Sequence, residues 1–187
     1  MKRIWLLVPA VLLPYLALGT LAVIFFSDGH PALRFVMESV FRGDALFLIA
    51  SLLIVCLIAF VFAVFYFVAA IRGEWDALTL ARTAMVIKLI QIPGYIGIFV
   101  FGVLLVITVF TVGFSVGLFL VDCLTVLLSG LAALPAVVNG ARGGILSAKK
   151  AIWLGVLQFV FCADVAAAIV LFRTLKEKDR SQPDPIG

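Results

Sequence analysis

A single histidine, His30, stands in this 187-residue sequence. No second imidazole can share a metal ion with it, so His30 reads as a solvated loop residue and no metal site is expected. No histidine falls in an apolar segment either, which removes the commonest general base from the interior. There is no Walker motif, no Gly-rich nucleotide loop, no His-Glu-x-x-His and no Gly-x-Ser-x-Gly. No enzyme activity, catalytic residue or cofactor is therefore expected. The three cysteines, Cys56, Cys123 and Cys162, all lie inside apolar runs. Disulfide frameworks belong to paired cysteines in oxidising regions outside a membrane, so these read as small apolar packers.

Charge is equally scarce, at 13% of residues. Residues 4–27, 45–71, 89–121 and 123–141 contain no Asp, Glu, Lys or Arg, and 151–172 contain only Asp164. Hydrophobic residues make up 65% of the chain, where a soluble domain is about half apolar. A bilayer core needs about 20 apolar residues per helical span. The fold expected is all-α: a polytopic transmembrane helix bundle of about five spans, forming one membrane domain over residues 1–175. A short disordered polar tail is expected at 176–187. The net charge is +4, but the Lys and Arg are scattered at segment ends, where they anchor and orient spans. No nucleic-acid partner is expected. Membrane lipids are, together with a second copy of the chain or another membrane protein.

The spans are expected at residues 4–26, 45–71, 93–110, 114–138 and 151–172. The first follows Lys2-Arg3 and is too long for a cleavable signal, so it reads as a retained signal anchor. Pro9 and Pro14 predict a kink in it. Amphipathic spacing predicts interfacial helices over residues 31–42 and 75–88. Pro93-Gly94 predicts a break or bend before span 3. Residues 89–141 would reach roughly 80 Å as one helix and must fold back. A turn is expected within 108–117, with a re-entrant hairpin as the alternative to two full spans. Gly113 and Gly117 also form a GxxxG pair suited to close helix contact. Residues 139–144 predict a further turn. With five spans and the N-terminus inside, eight Lys and Arg lie inside and six outside, so the orientation stays open.

Asp122 and Asp164 are the only carboxylates deep in apolar segments, and such residues are functional candidates. In a five-span bundle both sit roughly 12–14 Å below the outer interface. Both are expected to face the bundle interior, with at least one protonated, because no cation is expected at that depth. Three readings remain open: a shared proton or cation site in a small transporter, a two-Asp intramembrane protease, and a structural role. The protease reading lacks the Gly-x-Gly-Asp segment. Asp122, Thr125, Ser129, Ala133, Ala136 and Asn139 form a small-and-polar stripe suited to helix packing. Gln158 is expected to hydrogen-bond across a helix interface. The leading function is a non-enzymatic accessory or interaction subunit embedded in a membrane. The alternative is a small ion- or solute-transport protein using Asp122 and Asp164.

The segment Ile87-Lys88-Leu89-Ile90-Gln91-Ile92-Pro93-Gly94-Tyr95, with Val121-Asp122-Cys123-Leu124-Thr125, resembles an uncharacterised family of small multi-span bacterial membrane proteins without an established activity. The resemblance covers roughly residues 84–130. It implies a multi-pass protein of a bacterial cytoplasmic membrane and draws interest to Lys88, Gln91, Pro93 and Asp122.

Overall fold

The computed structural model describes residues 4–73, 75–107, 109 and 111–181, the side chain of Ser181 excepted. A short 3₁₀ turn, Ile4–Leu7, leads into α1 (Val8–Phe26). There follow α2 (Pro31–Ser39), α3 (Ala45–Arg72), α4 (Ala77–Val106), α5 (Val112–Arg142), α6 (Ala148–Leu157) and α7 (Ala163–Ser181). The described residues contain no strand. Four stretches are long and apolar enough to cross a membrane: Ile4–Phe26, Ala45–Arg72, Ala77–Val106 and Val112–Arg142, of 23, 28, 30 and 31 residues. Their outward faces carry large apolar side chains such as Leu53, Leu57, Phe65 and Phe99, each 64% exposed. A soluble protein does not leave such surface to water. The chain is a multi-span membrane protein.

Polar caps set the helix starts. The Asp44 carboxylate accepts from the Leu46 N–H at 2.8 Å, and Asp76 accepts from Thr79 N–H at 2.7 Å, satisfying donors that have no partner inside a helix. α1 and α4 run side by side in the same direction, since Pro14 meets Gly94 and Leu18 meets Gly97. A Cβ on Gly94 would lie 2.8 Å from the Pro14 Cβ, so glycine is what lets the helices close there. Pro9 sits in the first turn of α1, where its missing N–H removes no bond. Pro14 lies inside α1 and leaves the Ala10 carbonyl without its usual donor. Gln91 replaces it, donating Nε2 to Ala10 O at 3.0 Å.

Three expectations are corrected. The predicted surface helix at 75–88 and span 3 are one continuous helix, α4, which passes through Pro93. Pro93 removes the donor to the Leu89 carbonyl, and the next carbonyl along, that of Ile90, accepts from the Tyr15 hydroxyl. α5 runs on through Asn139-Gly140-Ala141, predicted as a turn. Asn139 stays helical because its Nδ2 donates to the Trp75 and Ala70 carbonyls at 2.9 and 3.4 Å, tying the α3–α4 loop to α5. The fifth predicted span is two helices, α6 and α7, separated at residues 158–162, with Cys162 in the left-handed region at φ 64°.

Chain reversal between α4 and α5 falls at residues 107–111, inside the expected turn apart from Ile107, though Thr108 and Phe110 themselves are outside the described residues. The Ser115 hydroxyl donates to Gly102 O at 2.9 Å across it. Helix α7 carries the chain to Ser181, so 176–181 is helical. The rest of the predicted tail lies outside the described residues.

α6 and α7 form a hairpin. Lys150 near the start of α6 donates to the Thr174 hydroxyl at 3.0 Å, and Gly140 of α5 faces both Leu146 and Leu175. The two ends of the hairpin therefore lie at the same end of the bundle. Ten residues of α6 span about 15 Å, half of a hydrocarbon core of about 30 Å, so residues 158–162 turn near mid-depth. The core at the hairpin's open end joins Leu7, Tyr66, Leu80, Ala136, Leu154 and Leu171.

Candidate functional site

Lys88, Gln91 and Tyr95 recur at i, i+3 and i+7 on the face of α4 turned into the bundle, and all three are buried. Lys88 is 0% exposed. An ammonium has three donors and no acceptor, and three acceptors surround it. Nζ lies 2.7 Å from Asp164 Oδ2, 3.2 Å from Ser129 Oγ and 3.4 Å from the Gln158 carbonyl. Each comes from a different feature of the fold. Ser129 projects from α5. The Gln158 carbonyl is available because α6 ends there, leaving its last carbonyls without helical partners. Asp164 sits in the first turn of α7, where the helix dipole favours a negative charge.

The hairpin apex reaches this depth because α5 has no side chain in its way. A Cβ on Gly130 would stand 2.6 Å from the Phe159 ring and 3.1 Å from Gln158 O. Tyr95 packs edge-on against Phe161 with centroids 5.8 Å apart. Its hydroxyl donates to Gln91 Oε1 at 3.3 Å. Two sets of polar contacts thus start from one face of α4: Ala10 O, Gln91 and Tyr95 in one, and Ser129, Lys88 and Asp164 in the other.

Asp122 lies about two turns from Ser129 toward the other end of α5. Lys88 contacts Asp164 and not Asp122. Asp122 Oδ1 is buried and accepts no hydrogen bond. The same residue lines a cavity of about 730 Å³. The cavity is walled by α4 from Ile98 to Val106, α5 from Ser115 to Leu127, and the apex residues Phe159 and Phe161. It occupies the half of the bundle that the hairpin does not enter. No family model, curated protein or solved structure matches the chain. The chemistry of the site therefore rests on its own geometry.

The expectation that no cation lies at the depth of the two acids is overturned. Lys88 is 11 residues into a continuous helix, about 17 Å from its start, and it faces Asp164 directly. Asp164 meets Lys88 at the level of Ser129, and Asp122 lies about two turns away along α5, so one acid is paired and one unpaired; α7, which carries Asp164, runs in the same direction as α5, since Gly140 meets Leu175. Thr125 is buried and spends its hydroxyl on Val121 O at 2.8 Å within its own helix. The Gln158 side chain is buried, but its Oε1 and Nε2 have no partner; it is the backbone carbonyl that joins the site.

Ser129, Ala133 and Ala136 are at most 1% exposed, and they pack within this chain. Gly113 and Gly117 would meet nothing within 4 Å on gaining a Cβ, so they make no close helix contact in the bundle. Tyr95 was missed in the sequence. It stands beyond Pro93, where the sequence predicts a break in the helix.

Proposed function

We propose that this chain is a small membrane transport protein. Its ion-handling site is the Lys88–Asp164 pair at the hairpin apex, together with the unpaired Asp122. The observation that carries this reading is the apex itself. Irregular backbone at membrane depth is tolerated only where it is buried in protein or lines a cavity, and here it delivers a carboxylate to a buried ammonium beneath a cavity bearing a second carboxylate. Lys88 and Asp164 neutralise each other, which leaves Asp122 as the group free to exchange a proton or a cation. The reading as an accessory or interaction subunit has less to rest on, because the small-residue stripe of α5 is used up inside the bundle.

The orientation follows from charge. Arg72, Arg82, Arg142, Lys149, Lys150, Arg173, Lys176, Lys178 and Arg180 belong to the end where the hairpin opens, nine in all, and Arg34 and Arg42 to the other. Cytoplasmic loops carry the excess of Lys and Arg. The open end of the hairpin accordingly faces the cytoplasm, and the cavity lies in the other half of the bundle. The resemblance noted in the sequence suggests the cytoplasmic membrane of a bacterium.

Reconstitution of the purified chain into liposomes with an entrapped pH dye tests the function. Wild type should dissipate an imposed proton or cation gradient, and D122N should fold but lose at least tenfold of the rate. Absence of flux, with a stoichiometric partner retained through purification, would favour the interaction subunit.

A further inference from the structure

We propose that the cavity beside Asp122 binds a lipophilic organic cation: a single positive charge on an aromatic or aliphatic body. This names the substrate class of the site above and rests on the transport reading. The cavity, at about 730 Å³, lies within the usual range of small-molecule sites, about 300–1,000 Å³. It is a groove open on the outer face of the bundle, where Phe99, Val103 and Phe119 are more than half exposed; its walls are apolar, and four of its residues are aromatic: Phe99, Phe119, Phe159 and Phe161. Among the described lining residues Asp122 is the only one that carries a charge.

These features select the ligand. An inorganic cation needs several oxygen donors to replace its water, and this wall offers one carboxylate and the Ser115 hydroxyl, which is already donated to Gly102. An organic cation carries its own apolar surface and needs no such shell. The aromatic faces attract it electrostatically, and the carboxylate fixes its charged centre. With Lys88 held by Asp164, no cation of the protein competes for Asp122. An anion would meet that carboxylate with no compensating donor. A neutral apolar molecule would leave it unpaired.

Equilibrium binding of radiolabelled tetraphenylphosphonium to the purified full-length chain in mild detergent tests this, with tetraphenylborate as the anion of the same shape. The phosphonium should bind saturably and at least tenfold more tightly than the borate. D122N should lose at least tenfold of the phosphonium affinity while melting as cooperatively as wild type. V103W, which fills the cavity without touching a charge, should also abolish binding. Equal binding of the two ions overturns the proposal, as does unchanged phosphonium binding in V103W or in D122N. Displacement of the phosphonium by phospholipid irrespective of residue 122 would assign the cavity to acyl chains and likewise overturn it. Proton or metal-ion flux without phosphonium binding would refute this substrate class and leave the transport reading standing. Saturable, Asp122-dependent binding without flux of any ion would uphold the site and defeat transport.

Discussion

Replacing Lys88 by Met should strip Asp164 of its counter-charge while keeping the length and apolar stem of the side chain. Two unit charges 2.7 Å apart attract by about 6 kcal/mol at an effective dielectric of about 20. Most of that attraction offsets the cost of taking both ions out of water. Removing one partner of a buried pair therefore costs about 3–5 kcal/mol, whereas replacing both by apolar groups is often close to neutral. K88M and D164L should each lower the melting temperature by on the order of 10 °C, at about 2–4 °C per kcal/mol for a chain of this size. The double variant K88M/D164L should recover most of the loss. The assay is thermal unfolding of detergent-purified protein followed by size-exclusion chromatography, with the four proteins forming a double-mutant cycle. If both single variants melt within about 2 °C of the parent, or if the double variant melts at the sum of the two losses, the pair carries no coupling. The hairpin apex is then held by apolar contacts alone.

Four further outcomes follow from the packing. G130A drives a Cβ into the Phe159 ring and should cost about 1–3 kcal/mol, read as a drop in melting temperature. Q91L leaves the Ala10 carbonyl without a donor and should cost about 1–3 kcal/mol; adding P14A, which restores the helical N–H, should return much of it in the same assay. Cys162 adopts φ 64°, so C162G should stabilise the chain by about 1 kcal/mol, seen as a higher melting temperature. At the start of α4, burial pushes the Asp76 carboxyl up, but hydrogen bonds from Thr79 and Leu78 outweigh this and hold it below its ordinary value. The stabilisation it supplies is complete above the unfolded value near ~4 and is lost as pH falls through the lower folded value. Acid titration of the melting temperature should show that loss in wild type and not in D76N.

Apolar runs and charge placement made the bundle legible, because a bilayer imposes length and composition on every span. They could not divide residues 151–172. That run is as apolar as a spanning helix, and its break at 158–162 is stabilised by Gly130, Lys88 and Ser129, residues 28 to 70 positions away from Gln158. Proline misled in the same way. Pro93 is a local signal for an end, but α4 runs through it, and the Tyr15 hydroxyl that donates to the nearby Ile90 carbonyl lies on another helix. The two acids were found because charge in an apolar run stands out. Lys88 stands at the margin of such a run, at the end of the predicted surface helix 75–88, so its sequence position alone points to an interface. Reading α4 through Pro93 would have aligned Lys88, Gln91 and Tyr95 on one face.

The return of α6 and α7 to the side they came from bears on how the chain is made. Membrane insertion reads the hydrophobicity of a segment as it emerges, and 151–172 has the length to be threaded fully across. What holds it back is a docking surface formed by helices synthesised earlier, with Lys88 waiting as the berth for Asp164. The final quarter of the polypeptide can adopt its native course only after α4 and α5 have assembled. A failure at that berth would send the carboxyl end to the wrong face of the membrane, so a pool of inverted molecules, detectable by thiol labelling of K178C against K150C, is the signature of an insertion error in this protein.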